Sequence, residues 1–184
     1  MFELKRKSIH FLGLSVPLLY FVCEREVIIG LVGIAVLCGV LIEVARLKSE
    51  KFNQLISKII GGYTREHEQK KVTGATYYAV AAFVAVVFFS KMVAISCLFF
   101  LALGDAAASL VGIQFGRHKL YGKSIEGSLA CLLVCGVVGW GLLRWVGLAG
   151  AVAATVIELL PIPIDDNLRV PVVSGALMQL CILL

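Results

Sequence analysis

Long apolar runs separated by short charged turns dominate the chain. Seven runs can be drawn: Ile9–Cys23, Val27–Ala45, Tyr77–Ser90, Met92–Phe115, Ser128–Trp145, Leu148–Leu160 and Val170–Leu184. Several fall short of the ~20 residues a helix needs to cross a full hydrocarbon core. The first gains length from its basic N-terminal turn, and the sixth, ending at Pro161, reads as a partial or tilted crossing. The stretch Glu50–Lys71 has another pattern. Phe52, Leu55, Ile56, Ile59 and Ile60 recur at helical spacing among Lys51, Gln54, Ser57 and Lys58, up to the Gly61-Gly62 pair. Such a two-faced helix suits the headgroup plane. The pattern predicts an all-α polytopic membrane bundle of about seven transmembrane helices plus one interfacial amphipathic helix, with residues 1–184 as a single domain.

Composition agrees. Of the 184 residues, 60% are hydrophobic and 16% charged, and the mean hydropathy is +0.96. Soluble domains run at about 45–50% apolar and about 25% charged. The net charge of +5 acts as a topology signal, and no nucleic-acid partner is expected. With the N-terminus inside, 14 of the 17 basic residues fall in inside segments, leaving only Arg25, Lys91 and Arg144 outside. That asymmetry predicts a cytoplasmic N-terminus. Lys5-Arg6-Lys7 before an apolar run imitates a signal peptide, but no small-residue cleavage site follows, so this segment reads as a retained first helix. The six cysteines form no CxxC pair and lie in apolar segments, where they serve as small hydrophobes.

Charge patterning then points to chemistry. Glu24 and Glu26 fall outside, whereas Glu3, Glu43, Asp105, Glu126, Glu158, Asp165 and Asp166 fall at or near cytoplasmic helix ends. Asp105, Ala108, Gly112 and Gly116 share one stripe of the fourth helix. The small residues read as a packing face. Asp105 needs a cation, either a divalent metal or a neighbouring lysine. In Lys123-Ser124-Ile125-Glu126-Gly127-Ser128, a helix starting near Ser124 would offer backbone N–H groups to phosphate. Ordinary capping by Ser124 is the equal alternative. The cluster Glu158-Leu-Leu-Pro-Ile-Pro-Ile-Asp165-Asp166-Asn167 is stiffened by its prolines and ends in three adjacent oxygen-bearing side chains of the kind hard divalent cations take. Glu3, Lys7 and His10 share a face of the first helix, and Glu43 and Arg46 suit a local ion pair. Together these clusters suggest a cytosol-facing site at the membrane surface for a metal and a polyphosphate.

The same clusters resemble the CTP-dependent lipid-alcohol kinases, a family that includes dolichol kinase, phytol kinase and the CTP-using diacylglycerol kinase. Its D-x-x-A-x-x-x-G-x-x-x-G stretch is similar to Asp105, Ala108, Gly112 and Gly116, and its following lysine-rich segment to Lys123, Ser124, Glu126, Gly127 and Ser128. Glu3, Arg6, Lys7 and His10 match near the N-terminus, and Asp165, Asp166 and Asn167 match late in the chain. Gly122 stands where some members have a second lysine, and Ser124 replaces their threonine. The resemblance implies transfer of the γ-phosphoryl group of CTP, or another nucleoside triphosphate, to a lipid alcohol such as a polyprenol or diacylglycerol, with Mg²⁺ as cofactor. It implies phosphate or nucleotide binding by Lys7, His10, Gly112, Gly116, Lys123, Ser124, Gly127 and Ser128. Asp105, Glu126, Asp165, Asp166 and Asn167 would hold metal. Asp105, Lys123, Asp165 and Asp166 would serve catalysis, with Asp165 or Asp166 positioning or deprotonating the lipid hydroxyl.

Two other readings compete. A CTP:phosphatidate cytidylyltransferase would use the same cosubstrates but attack a different phosphorus. A small transporter would use intramembrane acids for ions, although no inverted repeat supports it.

Overall fold

In hydrocarbon, backbone N–H and C=O groups must pair within the segment itself, so apolar runs become helices. The computed structural model of the chain describes residues 13–60 and 71–184. Its elements are helices α1 (Ser15–Val22), α2 (Arg25–Lys48), α3 (Glu50–Ile60), α4 (Gly74–Phe88) and α5 (Lys91–Phe99), then a π-helical turn (Phe100–Gly104) leading into α6 (Asp105–Phe115). Strands β1 (Lys119–Leu120) and β2 (Lys123–Ser124) follow, then α7 (Ile125–Leu159) and α8 (Asp166–Leu183). Among the described residues, three helical stretches are long and apolar enough to cross a membrane: Arg25–Lys48, Lys91–Phe115 and Ile125–Leu159. Gly74–Phe88 is a shorter apolar helix. The fold is an all-α membrane bundle carrying one very short β-hairpin.

The central element is Lys91–Phe115. Of its apolar window 61% is buried, against 17% for Arg25–Lys48 and 17% for Ile125–Leu159. Val93, Ile95, Leu98, Phe100 and Leu101 form the core with Tyr20, Ile28 and Met178. The outer helices turn Leu31, Ile34, Leu37, Leu133 and Val137 outward, as lipid-facing surfaces do.

Helix α7 is not one rod. Thirty-five residues in a straight helix would run about 52 Å, well beyond a hydrocarbon core of about 30 Å. Arg144, at φ 53° and ψ −125°, breaks it into limbs 125–143 and 145–159. The limbs fold back against each other. A Cβ on either Gly139 or Gly147 would collide with the backbone of the other, so only glycine permits this contact. The break falls one residue before the end of the predicted run Ser128–Trp145, ahead of the run Leu148–Leu160.

Charged side chains close both ends of the bundle. At one end, Arg25 donates from Nε to the carbonyl of Val86 at 3.0 Å. Lys91 donates to the carbonyls of Phe21 at 3.3 Å and Cys23 at 3.1 Å. These cations cap the C-terminal carbonyls of neighbouring helices, which would otherwise lack partners. Arg144 lies over the Trp140 ring at 5.3 Å. At the other end, the buried Glu43 and Arg46 pair at 2.5 Å. Glu43 Oε1 also accepts from the Thr73 N–H at 3.0 Å and the Thr73 hydroxyl at 2.7 Å, while Arg46 reaches Asn53 in α3 at 3.3 Å. The expected local ion pair thus ties α2, α3 and the start of α4 together.

Candidate active site

At that second end, α6, the β-hairpin, both limbs of α7 and the start of α8 enclose a cleft of about 380 Å³, within the ~300–1,000 Å³ common for ligand pockets. The construction begins at the π turn. Gly104 lies so close to the α7 limb that a Cβ would stand 2.6 Å from Cys135 Sγ. The extra residue of a π turn shifts the helix face, and Asp105 follows it directly, lining the cleft. Further along α6, Ala108, Gly112 and Gly116 pack on the start of α7. A Cβ on Gly127 would lie 2.5 Å from the Ala108 carbonyl oxygen, and one on Gly112 would lie 2.7 Å from Ser124 Oγ. The expected packing stripe is realised, and Gly112 and Gly116 also line the cleft.

The basic loop is a two-residue hairpin. Leu120 pairs with Lys123 and Lys119 with Ser124, across Tyr121 at φ 52° and Gly122 at φ 83°. Two positive φ values mark a type I′ turn, in which glycine is the favoured second residue. The hairpin delivers Lys123 to the cleft and ends on Ser124, the N-cap of α7, whose Oγ accepts from Gly127 N at 3.1 Å. The Ile125 N–H donates to the His118 carbonyl at 3.0 Å. Capping is therefore present, and it takes up two of the first backbone donors.

Lys123 Nζ is the hub. It donates to Glu158 Oε1 at 2.5 Å, to the Glu158 carbonyl at 2.6 Å and to Asp166 Oδ2 at 2.9 Å. An ammonium has three donors, and all three are engaged. Arg169 holds the far side of Asp166 through Nε to Oδ1 at 2.7 Å, and it caps the Leu160 carbonyl at 2.6 Å. Two buried oxygens of cleft-lining side chains, Glu158 Oε2 and Ser128 Oγ, have no hydrogen-bond partner. Among the described residues, no three His, Cys, Asp or Glu side chains converge on one metal position.

Comparison with known proteins bears on this geometry. The CTP-dependent diacylglycerol kinase 1 of Schizosaccharomyces pombe is 29% identical over 161 residues, covering 75% of this chain and 73% of the relative. The protein of that name in Eremothecium gossypii is 37% identical over 97 residues, or 51% of this chain and 31% of the relative. These similarities support membership in the CTP-dependent lipid kinase family. An uncharacterized protein of Methanocaldococcus jannaschii is 26% identical across 97% of this chain and 94% of its own length. No family model matches the chain, and no solved structure matches it.

The cleft gathers Asp105, Gly112, Gly116, Lys123, Ser124, Gly127, Ser128 and Asp166 from the residues singled out in sequence. Others are placed differently. Glu126 turns to His118, at 2.8 Å from its Nδ1. Asp165 caps α8, accepting from Asn167 N at 2.9 Å and from Asn167 Nδ2 at 2.8 Å. Lys7 and His10, with Glu3 and Arg6, lie outside the described residues. Two participants, Glu158 from the late acidic cluster and Arg169, were not among the site residues expected from sequence. Glu158, an acid at the end of an apolar run, carried the usual signal of a functional intramembrane group. Arg169 stands three residues after Asp166, the spacing of a helical ion pair.

Proposed function

We propose that this chain phosphorylates a membrane-embedded lipid alcohol, using CTP as the phosphoryl donor. The observation carrying this reading is the cleft at one end of an apolar bundle. There Lys119 and Lys123 face three carboxylates, Asp105, Glu158 and Asp166, at the level where a lipid hydroxyl and a soluble nucleotide can meet. The hydroxyl oxygen bonds to the γ-phosphorus, the bond from that phosphorus to the β-phosphate oxygen breaks, CDP leaves, and a cleft carboxylate accepts the hydroxyl proton. Lys119 and Lys123 attract and neutralise the phosphates. Gly112, Gly116 and Gly127 leave room for close approach, and Ser124 and Ser128 offer hydroxyls. Asp166 is oriented by Arg169, while Asp165 and Asn167 hold the start of α8 that presents it.

The donor set suits Mg²⁺, which needs only one or two carboxylates alongside phosphate oxygens and water. Asp105 and Asp166 would hold it, and the bound ion would neutralise charge on the phosphates. Diacylglycerol is the first acceptor to test because the fungal relatives are named for it, and polyprenols and phytol follow as hydroxyls on apolar tails. The charge asymmetry supports seven crossings, α3 in the headgroup plane and a cytoplasmic cleft. The test is purified protein incubated with γ- or α-labelled CTP, and in parallel with other nucleoside triphosphates, against a panel of lipid alcohols. Label entering lipid from the γ position is expected. Label entering only from the α position would mean nucleotidyl transfer and defeat the kinase reading.

A further inference from the structure

Lys123 is an unusual phosphate ligand, because its donors are already spent on Glu158 and Asp166. Removing it from them would leave a buried carboxylate without its counter-ion, an arrangement proteins avoid. Meanwhile Glu158 Oε2 is buried in the wall of the cleft with no partner. So is Ser128 Oγ. The hairpin that sets Gly139 against Gly147 and bonds the Thr155 hydroxyl to Cys131 Sγ sets Ser128 across from Glu158, one turn further along. The unpartnered oxygens of Glu158 and Ser128 thus line the same cleft as Asp166 and the Lys123 ammonium, where the protein already selects a positive charge.

We propose that Glu158 joins Asp166 as a divalent-cation ligand of this cleft, with the Ser128 hydroxyl beside them, and that the Lys123 ammonium competes with the cation for these two carboxylates. A cation seated on the pair releases Lys123, whose donors then become available to phosphate. Metal and nucleotide binding are coupled by this exchange, because the lysine reaches the nucleotide only when the acids have another counter-charge. The inference rests on the kinase reading for its purpose but not for its test.

The test is Mn²⁺ binding to the detergent-solubilised full chain, followed by loss of the free-ion electron paramagnetic resonance signal, with neither nucleotide nor lipid alcohol present. Saturable binding is expected. Glu158→Gln should weaken it about tenfold or more, and Lys123→Met should tighten it about tenfold, each in protein that elutes as a folded species. Unchanged affinity in Glu158→Gln, weaker binding in Lys123→Met, or no saturable binding to the wild type overturns the proposal. A second readout needs no variant. Acylation of Lys123, measured by peptide mass spectrometry, should rise when Mn²⁺ is added, while Lys91 at the opposite end stays constant. Unchanged Lys123 reactivity at saturating Mn²⁺ also overturns it. Failure here leaves the γ-label experiment standing, and failure there leaves this one standing.

Discussion

Replacing Lys123 by alanine tests the site most directly. The substitution deletes three hydrogen bonds at once and leaves Glu158 and Asp166 facing each other without their shared cation. Breaking a buried ion pair by removing one partner costs about 3–5 kcal/mol. Not all of that applies here. The Lys123 side chain is 31% exposed and that of Asp166 36%, so solvent screens their bond. Asp166 also keeps Arg169. The Glu158 side chain, at 8% exposure, dominates the loss. We expect about 2–3 kcal/mol of destabilisation, which a protein of ordinary stability, about 5–15 kcal/mol, survives. Turnover should fall further, by about 10²–10³-fold, the usual loss when one charge-stabilising donor is removed. Thermal unfolding in detergent measures the first quantity, and γ-phosphoryl transfer per folded molecule measures the second. Lys119→Ala is the contrast, since Lys119 lines the same cleft but is exposed, and its stability should be nearly unchanged. Near wild-type turnover in Lys123→Ala would refute its role in the reaction. An unchanged melting temperature would refute the clamp.

Asp105→Asn should abolish turnover while leaving membrane insertion intact, as assayed by membrane fractionation and lipid phosphorylation side by side. In Gly127→Ala, the new methyl meets the Ala108 carbonyl at 2.5 Å, so α6 and α7 must separate. The overpacking should cost about 1–3 kcal/mol in thermal unfolding and reduce turnover with it. Glu43→Gln removes the carboxylate charge that faces the buried Arg46 guanidinium and should destabilise by about 3 kcal/mol, yet kcat per folded molecule should hold because Glu43 does not line the cleft.

The helices and their charged turns were readable along the chain because both are local properties. An apolar run that must satisfy its own backbone has one way to do so, and α2, α4, Lys91–Phe115 and α8 fall where the runs fall. The stripe of Asp105, Ala108, Gly112 and Gly116 was readable for the same reason, since helix geometry alone puts steps of three and four on one face. The gathering of acids and bases at one end followed from alternating helix direction. The hub of the site was not readable. Lys123 and Glu158 are 35 positions apart, and nothing between them specifies that they meet until Arg144 reverses α7 and Gly139 settles on Gly147. The same reversal brings Ser128 and Glu158 to one cleft, and the β-hairpin that holds His118 against the start of α7 turns Glu126 away to it. Sequence thus determined which chemical groups are present and at which end of the bundle they stand. Tertiary structure alone decided which of them touch, because such pairings depend on close approach between distant backbones, and close approach depends on whole helix faces fitting together.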